Sequence, residues 1–600
     1  MSKEPKRNVY VGHRYVPLIM DEWDKSISYE GLSIVTYKGG SYTSKKHVPV
    51  GIDINNEEYW SMTGNYDAQV EHYRKEVKTL KSNVEENKEK LDKLSSKLSN
   101  FSKLVSENDD TERLKRAIHH AELNGNVLII DENVNVSERI VFNSIKVLGI
   151  NNPLFTINSA DDIGIELKGE NVGLKNLEIN GSKDIRTVIS VSINSKNVEI
   201  ENNYIHGGFS NVFGSYGIDV NDGCVDVYIH HNKIEDIHST EDGIIGNSLG
   251  SARGILLRGV KNALIQYNEF NDIGGFEDGD CIQTQTKMKD SSFIIEYNIF
   301  NNITKRGVKL QAPNNIVRFN KFYSDYDGDG NETTASAIAD YDENNEIYGN
   351  TIKLKRSYTG IDLSRTVNCK VYENYIENNK NGFYTSARGS STSVIIISET
   401  SKIEIYNNEL VSGRLKFYAT KPNKDVIFKD NILSEGSGIY VRITDVDGLR
   451  LEDNIFKGSE TVSPHDMVRF DNPSNLIIGG NEFNWGTNIV RFHGVIDNVL
   501  VYYNTIKNNQ SNNRYRTAEV TSGLETFKVL NDYVTGQIGI PTGETSVVVS
   551  HGLGRRPDFV GVTATTDNAP NFHVTRGDST LQIHLLEPQE RNTSFNWKAE

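Results

Sequence analysis

The chain has 600 residues, more than one ordinary domain contains, and its 65 basic and 81 acidic residues leave a formal net charge of −16. Proteins that bind nucleic acid usually carry the opposite sign, so the composition argues against that class of partner. No run of about 18 apolar residues occurs, and the opening MSKEPKRNVY has no apolar core behind its charges, so we expect neither membrane insertion nor a secretion signal.

Residues 1–65 place aromatic side chains among short strand-like runs, as in GLSIVTYKGGSYTSKKHVP. In so small a module, aromatic side chains either form the core or stack on sugars, and the first role is the commoner one. The pattern therefore predicts a small β module. Its aromatic residues include Trp23, Tyr29, Tyr37, Tyr42, Tyr59 and Trp60.

Between residues 66 and 108, apolar residues recur at alternating intervals of three and four, with Lys, Glu and Ser between them. This period predicts five heptads of a coiled coil about 54 Å long, and therefore an oligomer. A single amphipathic helix is the alternative, but the strict spacing without a cap or glycine argues against it. The heptad positions are Val70, Tyr73, Val77, Leu80, Val84, Asn87, Leu91, Leu94, Leu98, Phe101 and Val105.

The stretch DDTERLKRAIHHAELNGNVLII, residues 109–130, predicts a short helix followed by a strand. Asp109 or Asp110 can cap the helix, Gly125 can end it, and VLII begins a β region. The apolar face of the helix consists of Leu114, Ala117, Ile118 and Ala121.

Beyond residue 200 an Asn-x-apolar unit returns, as in ENNYI, HHNKI and QYNEF, and its shortest intervals are 22 to 24 residues. Such a period indicates a solenoid, and the short alternating strands around each asparagine exclude helical repeats. We predict mainly β structure, with roughly 15 coils over about 70 Å between residues 127 and 515. Asparagine suits the corner between strands because it tolerates left-handed backbone angles, and stacked asparagines can bond in a ladder. The repeated asparagines are Asn203, Asn232, Asn268, Asn298, Asn320, Asn350, Asn374, Asn408, Asn431, Asn454, Asn481 and Asn504.

The repeat also aligns a second strand in each coil, beginning at GID, RGILLRG, DCIQTQ, RGVKLQ and related segments. Alternation predicts an exposed outward column in these strands and another two residues further on. The first column contains Asp219, Leu256, Gln283, Lys309, Ala339, Asp362 and Tyr384. The second contains Asn221, Arg258, Gln285, Gln311, Tyr341, Ser364 and Ser386. The starts of the strands align Tyr216, Arg253, Asp280 and Arg306.

The segment GFEDGDCIQ crowds Glu277, Asp278 and Asp280 into four positions between the arginines of neighbouring coils. Paired arginines suit a phosphate or carboxylate, and clustered carboxylates can serve as acid and base in cleaving a glycosidic or phosphodiester bond. We therefore predict a groove for a polar chain, with these three acids as catalytic candidates. Its substrate-binding candidates are Arg253, Arg306, Lys309, Gln283, Gln285, Asp362 and Tyr384. A salt-bridged ladder without catalysis is the alternative.

Other groups carry weaker signals. Asp325, Asp327 and Asp329 have calcium-loop spacing, but Ser336 stands where such a loop needs Glu, so an acidic surface turn is the alternative to a Ca²⁺ site. No other cofactor is expected. We expect the histidines near the corners to be surface residues and the cysteines to be buried and reduced. These residues are His206, His230, His231, His238, Cys224, Cys281 and Cys369.

Residues 523–600 leave the repeat and alternate in TSVVVSHGLGRRPDFVGVTAT and TLQIHLLEP. The pattern predicts a compact β-sandwich that caps the rod.

The order of small β module, coil, cap helix, asparagine repeat and terminal module resembles the tailspike or pre-neck appendage proteins of small podophages of Gram-positive, especially staphylococcal, hosts. The resemblance implies a right-handed, pectate-lyase-like β-helix over residues 109–522, a trimeric coiled coil at 66–108 and a virion-docking module at 1–65. It implies a homotrimer in the phage virion that contacts other tail proteins through its N-terminal region and binds the bacterial surface.

A second resemblance, to polygalacturonase-like β-helix hydrolases, lies in the order of TEDGI, DGDCI and RGVK. It implies roles at the cleavage site for Asp242, Asp278, Asp280, Arg306 and Lys309. The chain departs from the pattern because Gly279 splits the aspartates, the spacing is wider, and no clear histidine segment lies between DGDCI and RGVK. We expect a tail appendage that binds and depolymerises wall teichoic acid or an exopolysaccharide. A receptor-binding spike without catalysis and a polysaccharide lyase are the alternatives.

Overall fold

The structure is a computed structural model of the chain, and it falls into two compact units, Met1–Leu94 and Ser95–Glu600. It describes residues 17–159, 161–181, 185–210, 214–239, 251–274, 278–285, 288, 290–303, 305–324, 336–355, 359–378, 393–412, 414–417, 422–434, 441–458, 466–485, 488–507, 515–530, 533–551, 556–566, 571–578 and 580–600.

The first unit begins with a four-stranded sheet whose strands follow chain order. Its core holds Tyr29 and Trp60 edge to face at 5.2 Å, and Trp23 packs against Tyr37 at 5.1 Å. The aromatic residues of the predicted β module therefore form its core. The strands are Leu18–Glu22, Ser33–Tyr37, Gly40–Ser44 and Trp60–Asn65.

Helix α1, Tyr66–Leu94, follows this sheet and covers the first part of the predicted coil. Five heptad side chains of α1 are exposed, which leaves an apolar seam open along it: Val70, Tyr73, Val77, Leu80 and Val84. The helix ends before the predicted limit at residue 108, because Ser95–Lys97 forms a strand and Leu98–Asn100 a 3₁₀ turn. Leu98 is fully buried in the core of the second unit and Phe101 packs against that core, so their heptad spacing does not reflect a coil.

The second unit opens with helix α2, Thr111–Asn124, as the sequence predicts. Asp110 is its N-cap residue, and Gly125 ends it with φ of 61°, the left-handed angle that glycine adopts readily. The predicted apolar face of α2 is buried with Leu128 and thereby closes one end of the core that follows.

Three parallel sheets form a β-helix, in which each coil contributes one strand to each sheet. The first sheet contains Ser95–Lys97, Val127–Ile130, Lys146–Gly149, Gly173–Lys175, Lys196–Glu201, Val225–His230, Asn262–Gln266, Ser292–Glu296, Asn315–Arg318, Glu346–Tyr348, Val367–Tyr372, Ser401–Tyr406, Asn423–Lys429, Val446–Glu452, Ser474–Gly479, Asp497–Tyr502 and Phe527–Leu530. The second contains Val134–Val136, Leu154–Ile157, Glu178–Gly181, Tyr204–Ser210, Lys233–Ser239, Glu269–Gly274, Ile299–Asn301, Lys321–Ser324, Thr351–Leu354, Tyr375–Asn378, Glu409–Val411, Ile432–Ser434, Ile455–Lys457, Glu482–Asn484, Thr505–Lys507 and Tyr533–Ile540. The third contains Ile140–Asn143, Ile163–Lys168, Thr187–Val191, Ser215–Val220, Ser251–Arg258, Asp278–Gln285, Arg306–Gln311, Ser336–Asp340, Thr359–Ser364, Ser393–Ser398, Arg414–Phe417, Val441–Thr444, Asp466–Asp471, Asn488–Val495 and Tyr515–Ser522.

The interior of the coils is filled by stacked aliphatic and aromatic side chains. Phe270, Phe300 and Phe322 of successive coils stack at 5.0 and 4.5 Å with nearly parallel rings. Such stacks follow from parallel, in-register pairing, which sets equivalent residues one strand spacing apart.

The twelve repeated asparagines form a continuous buried ladder at the corner between the first and second sheets, which confirms the sequence prediction. In a typical step the Oδ1 of Asn298 accepts the Asn268 backbone N–H at 2.9 Å and its Nδ2–H at 3.0 Å. The Asn268 Nδ2 also donates to the Ile229 carbonyl at 2.8 Å. Each asparagine therefore ties its own coil to the coils on either side.

The parallel stacking continues past the predicted boundary at residue 522. Phe527–Leu530 pairs with the first sheet, and Tyr533–Ile540 pairs with the second before it also pairs antiparallel with Thr593–Ala599. Val560–Ala564 extends that antiparallel sheet, and three further strands form another sheet, so two antiparallel sheets share a small core at the chain's end. The further strands are Ser546–Ser550, Phe572–Arg576 and Thr580–Leu585.

Replacing one ladder asparagine should destabilise the rod. Asn298→Ala removes the acceptor of a buried N–H, so we expect a loss of about 3 kcal/mol in the free energy of unfolding. Thermal and denaturant unfolding would measure the loss. The matched control is Asn262→Ala, because Asn262 is an exposed asparagine of the same sheet, and its replacement should stay within about 0.5 kcal/mol of the parent. Equal losses in the two variants would contradict a structural role for the ladder.

Candidate functional site

The third sheet aligns the predicted strand starts across four coils. Tyr216 pairs with Arg253, Arg253 with Asp280, and Asp280 with Arg306, which confirms the predicted alignment. These coils and their neighbours, from Arg186 to Ser364, present their outward side chains on what we call the candidate face.

Asp280 lies at the centre of the candidate face and is surrounded by cations. Arg306 Nη1 lies 3.1 Å from its Oδ1, and Arg253 Nε and Lys309 Nζ each lie 3.7 Å from its Oδ2. The Asp280 side chain has no exposed surface. Three cations around one buried carboxylate favour its charged form and fix the directions of their own side chains.

Most of the first outward column is buried, where the sequence predicted an exposed one, and Lys309 and Asp362 are partly buried. Gln283 is only 3% exposed, because its side-chain amide bonds to neighbouring coils rather than to solvent. Its Nε2 donates to Gln311 Oε1 at 2.6 Å, and its Oε1 accepts a hydrogen bond from Arg253 Nε. The neighbouring positions of the column, Asp219, Leu256 and Ala339, are buried as well. Solvent reaches the candidate face mainly through the second column, where Gln285 is exposed.

Three arginines surround Tyr216, and two of them, Arg186 and Arg258, are not among the predicted binding residues. The guanidinium carbons of Arg186, Arg253 and Arg258 lie 5.5, 5.9 and 5.6 Å from the centre of its ring. Arg258 also bonds to both oxygens of Asp219, at 2.9 and 3.3 Å. The sequence alignment places Arg258 in the second column, so it could have identified Arg258 as a binding candidate. It could not have identified Arg186, which precedes its strand.

Asp362 lies further along the candidate face and differs from Asp280 in its surroundings. Its Oδ1 accepts a hydrogen bond from Ser364 Oγ at 2.7 Å, and its Oδ2 accepts one from Tyr341 at 3.3 Å. Burial raises the pKa of Asp362, although the nearby Arg306 opposes the rise. Burial also raises the pKa of Tyr341 to about 12. Asp362 is thus a carboxyl group that binds its proton more firmly than an exposed aspartate does.

Several predicted site residues lie outside the described part of the chain: Glu277, Asp242, Tyr384, Asp325, Asp327 and Asp329. The predicted column positions of Tyr384 and Ser386 are wrong, because the strand that follows Thr359–Ser364 is Ser393–Ser398 and places Ile396 and Ser398 there. Asp278 pairs with Ser251, two residues before Arg253.

The histidines near the corners lie among acidic and aromatic side chains. His238 Nε2 is 3.4 Å from carboxylate oxygens of Asp236 and Asp272, and the bond to Asp272 raises the pKa of His238. Glu199, Glu201 and His230 form a second group of this kind, in which Lys146 and Lys175 already pair with the glutamates. These are the groups with metal-ligand geometry among the described residues, and both are explained by ion pairing. The cysteines are free and buried, as predicted: Cys224, Cys281 and Cys369.

Asp340, which the sequence did not suggest as special, points into the rod interior and has no exposed surface. Its Oδ1 accepts hydrogen bonds from Asn345 Nδ2 at 2.7 Å and from the Asp342 backbone N–H at 3.1 Å. Burial raises the pKa of Asp340 to about 7, while these bonds and the Cys369 thiol lower it. The rod therefore encloses an acid that ionises near neutral pH.

The model of the family described as right-handed beta helix region matches residues 163–352 and 331–465, together just over half of the chain. The chain belongs to this family, and its β-helix is right-handed. A search of the curated proteins found no match. Within the described residues, no helix is long and apolar enough to span a membrane.

Solved structures with similarity to the chain include two phage proteins. The Dettilon tailspike protein gives a TM-score of 0.35 at 11% identity, over 84% of this chain and 94% of that one. The tailspike protein of E. coli bacteriophage HK620, solved in complex with a pentasaccharide, gives a TM-score of 0.35 at 12% identity, over 85% and 94%.

Replacing Asp280 should destabilise the rod more than replacing an exposed partner does. Asp280→Asn leaves three clustered cations without their buried counter-ion, so we expect a loss of about 3 kcal/mol in the free energy of unfolding. The matched control is Asp290→Asn, because Asp290 and Lys261 form an exposed pair at 3.3 Å, and it should lose less than about 1 kcal/mol. Denaturant unfolding of both variants would measure the difference, and similar losses would contradict the counter-ion role. The catalytic role of Asp280 stays a prediction, and its burial favours the salt-bridged alternative.

Removing the buried acid should change how stability depends on pH. The folded-state pKa of Asp340 is raised from 3.8 to about 7, so the folded chain loses stability as pH rises from about 4 to about 7. Asp340→Asn keeps the Oδ1 acceptor and cannot ionise. Its stability relative to the parent should therefore increase over that pH range, by roughly 1.4 kcal/mol for each unit of the shift, and then level off. Melting temperatures of both proteins between pH 4 and 9 would measure this, and a constant difference would contradict it.

Proposed function

We propose that the chain is a phage tailspike-like protein whose rod binds an anionic glycopolymer of the bacterial surface, either wall teichoic acid or an acidic exopolysaccharide. One observation supports the proposal: on a chain of net charge −16, the candidate face brings five cationic side chains together with three acidic ones. They are Arg186, Arg253, Arg258, Arg306 and Lys309 and, among the acids, Asp219, Asp280 and Asp362. Among the described side chains of the face, five cations against three acids leave a local positive excess. An excess of this kind suits phosphate or carboxylate groups more than a neutral glycan.

The proposed binding mode divides the face into two parts. The buried ion network around Asp280 holds Arg253, Arg306 and Lys309 in fixed positions, so little side-chain entropy is lost on binding. The second column supplies amide and hydroxyl groups from Gln285, Gln311 and Tyr341 at the surface, which can hydrogen-bond sugar or polyol hydroxyls. The net negative charge of the protein repels a polyanion at long range, so the contacts must act at short range.

Assembly and attachment complete the proposal. The open apolar seam of α1 has the heptad spacing of a coiled coil, which supports a homotrimer by the tailspike resemblance. The small β module before α1 has its aromatic residues in its own core, and we propose that it docks on other tail proteins of the virion rather than on sugars.

A hydrolase is the second candidate function, and Asp362 favours it. A carboxyl group with a raised pKa, on the same face as the arginines, can give its proton to a leaving oxygen when a glycosidic or phosphodiester bond breaks. This assigns the acid role to Asp362 and leaves Asp280 as the group that positions the cations.

The binding test replaces one cation together with the acid that it neutralises. Asp280→Asn combined with Arg306→Gln leaves the net charge at −16 and leaves no buried carboxylate with a missing partner. Because a charge-assisted contact to the polymer is lost, we expect binding of purified wall teichoic acid to weaken about tenfold or more, measured by calorimetry.

The control is Asp290→Asn combined with Lys261→Gln, which makes the same change of charge at an exposed pair and should bind like the parent. A neutral polysaccharide serves as the second ligand, and preference for it over wall teichoic acid and over an acidic exopolysaccharide would overturn the proposal.

Chain lengths of the polymers after incubation test the hydrolase, which requires that the parent shortens them and Asp362→Asn does not. An ultraviolet-absorbing unsaturated product would indicate the lyase instead.

A further inference from the structure

The residue before each ladder asparagine has a positive φ in all twelve coils. This corner position normally requires a residue that tolerates left-handed backbone angles, and half of the coils use asparagine, aspartate or glycine there: Asn202, Gly349, Asn407, Asp430, Asp453 and Gly480. Four consecutive coils instead place His231, Tyr267, Tyr297 and Phe319 at this position, with φ between 53° and 57°. We call these four residues the aromatic corner. Bulky residues pay a conformational cost at such angles, so their clustering calls for a compensating contact.

The rings of the aromatic corner stack on one another along the rod. Successive ring centres lie 5.0, 5.1 and 5.2 Å apart with interplanar angles of at most 25°. Stacking alone does not bury them, because Tyr267, Tyr297 and Phe319 remain 48, 42 and 39% exposed. Their faces are occupied by neighbouring rings, so the surface presents a strip of ring edges about 15 Å long.

The same four coils carry a second apolar column on the outward side of the first sheet. Tyr228, Leu264, Ile294 and Ile316 are paired in register there, and Glu199 and Glu346 occupy the positions before and after them. Between the two columns, Arg318 bonds to Glu296 at 2.6 Å and lies over the Phe319 ring, so the main charges there are already paired. Both columns lie in the same coils and flank a row of His230, Gln266, Glu296 and Arg318, so together they make a largely apolar surface with acidic residues at its ends. Contiguous surfaces of this kind mark contacts with other proteins.

We propose that the aromatic corner and its neighbouring column are covered by a second copy of this chain in the assembled protein. A glycan is a poor occupant, because the ring faces that a sugar would stack on are already used and Tyr228 supplies the one hydroxyl of the apolar column. The chain carries an independent signal for self-association in the open heptad seam of α1, and this choice of occupant rests on the assembly proposed above. On chains of net charge −16, contact between copies requires an apolar surface where the charges are paired.

Hydroxyl-radical labelling of the full-length protein, read by mass spectrometry, tests the proposal without any glycopolymer. Tyr503 is the matched reference, because it occupies the same corner position in a later coil, with φ of 52° and 56% exposure. We expect Tyr267 and Tyr297 to be labelled several-fold more slowly than Tyr503. Equal labelling would overturn the proposal, and slow labelling that appears only after a glycopolymer is added would assign the surface to the glycan.

The second arm separates a contact between copies from shielding within one chain. Val77→Asp with Leu80→Asp breaks the α1 seam, and sedimentation reports whether copies then separate. If they separate, labelling of Tyr267 and Tyr297 should rise to the level of Tyr503, and continued protection would overturn the proposal. If they stay together, adding Tyr267→Asn and Tyr297→Asn should separate them, and persistence of the assembly would overturn it.

The asparagine replacements also distinguish an interface from a purely structural stack. Asparagine is the residue that other coils use at this corner, as in Asn202 and Asn407, so each replacement relieves the backbone cost. In the parent background we expect an unchanged or higher melting temperature for the rod. A lower melting temperature with unchanged association would assign the stack a structural role alone. Failure of polymer binding at the candidate face would leave the expected labelling, sedimentation and melting results unchanged, because each of them is measured without polymer.

Discussion

The fold depends on hydrogen bonds for the backbone groups at each buried corner. A chain that turns sharply inside a dry stack exposes backbone N–H and C=O groups that no strand can pair. A buried asparagine at the corner satisfies these groups. Its Oδ1 accepts hydrogen bonds from the backbone and side chain of one neighbouring coil, and its Nδ2 donates to backbone carbonyl oxygens. One residue type therefore satisfies the corner and also links the coils in a fixed register.

The candidate face follows from that register. In-register pairing puts Asp280 level with Arg253 on one side and Arg306 on the other, so charges far apart in the chain become nearest neighbours. A slip of one residue would bring the buried carboxylate against apolar groups and turn the cations away from it. The pairing of charges and the pairing of backbones thus support the same arrangement, and the aromatic corner reflects the same register on another side of the rod.

The sequence was most informative where one residue type recurs with one role. The asparagines were found correctly because the corner tolerates few alternatives, and the alignment of Tyr216 with Arg253, Asp280 and Arg306 followed from the glycine and apolar residues that start each strand. It failed where a local pattern has two explanations, as at Leu98, which continues the heptad spacing but is buried in the rod. The burial of Gln283 could not be predicted, because it depends on side-chain contacts between coils. The inward direction of Asp340 follows from the alternation that places Ala339 outward, but the hydrogen bonds that hold its carboxyl group do not.

The ladder corner has a further consequence for how such a rod can vary. From Glu201 to Thr505, the same two residues separate each strand of the first sheet from the following strand of the second: the left-handed residue and the ladder asparagine. Differences in coil length are therefore confined to the other two corners, and the longest connection runs from Asn378 to Ser393, immediately before a strand of the third sheet. The sheet that carries the candidate face thus adjoins the connections that can lengthen or shorten freely. Connections with different side chains can therefore replace one another beside that face while the pitch of the rod stays constant.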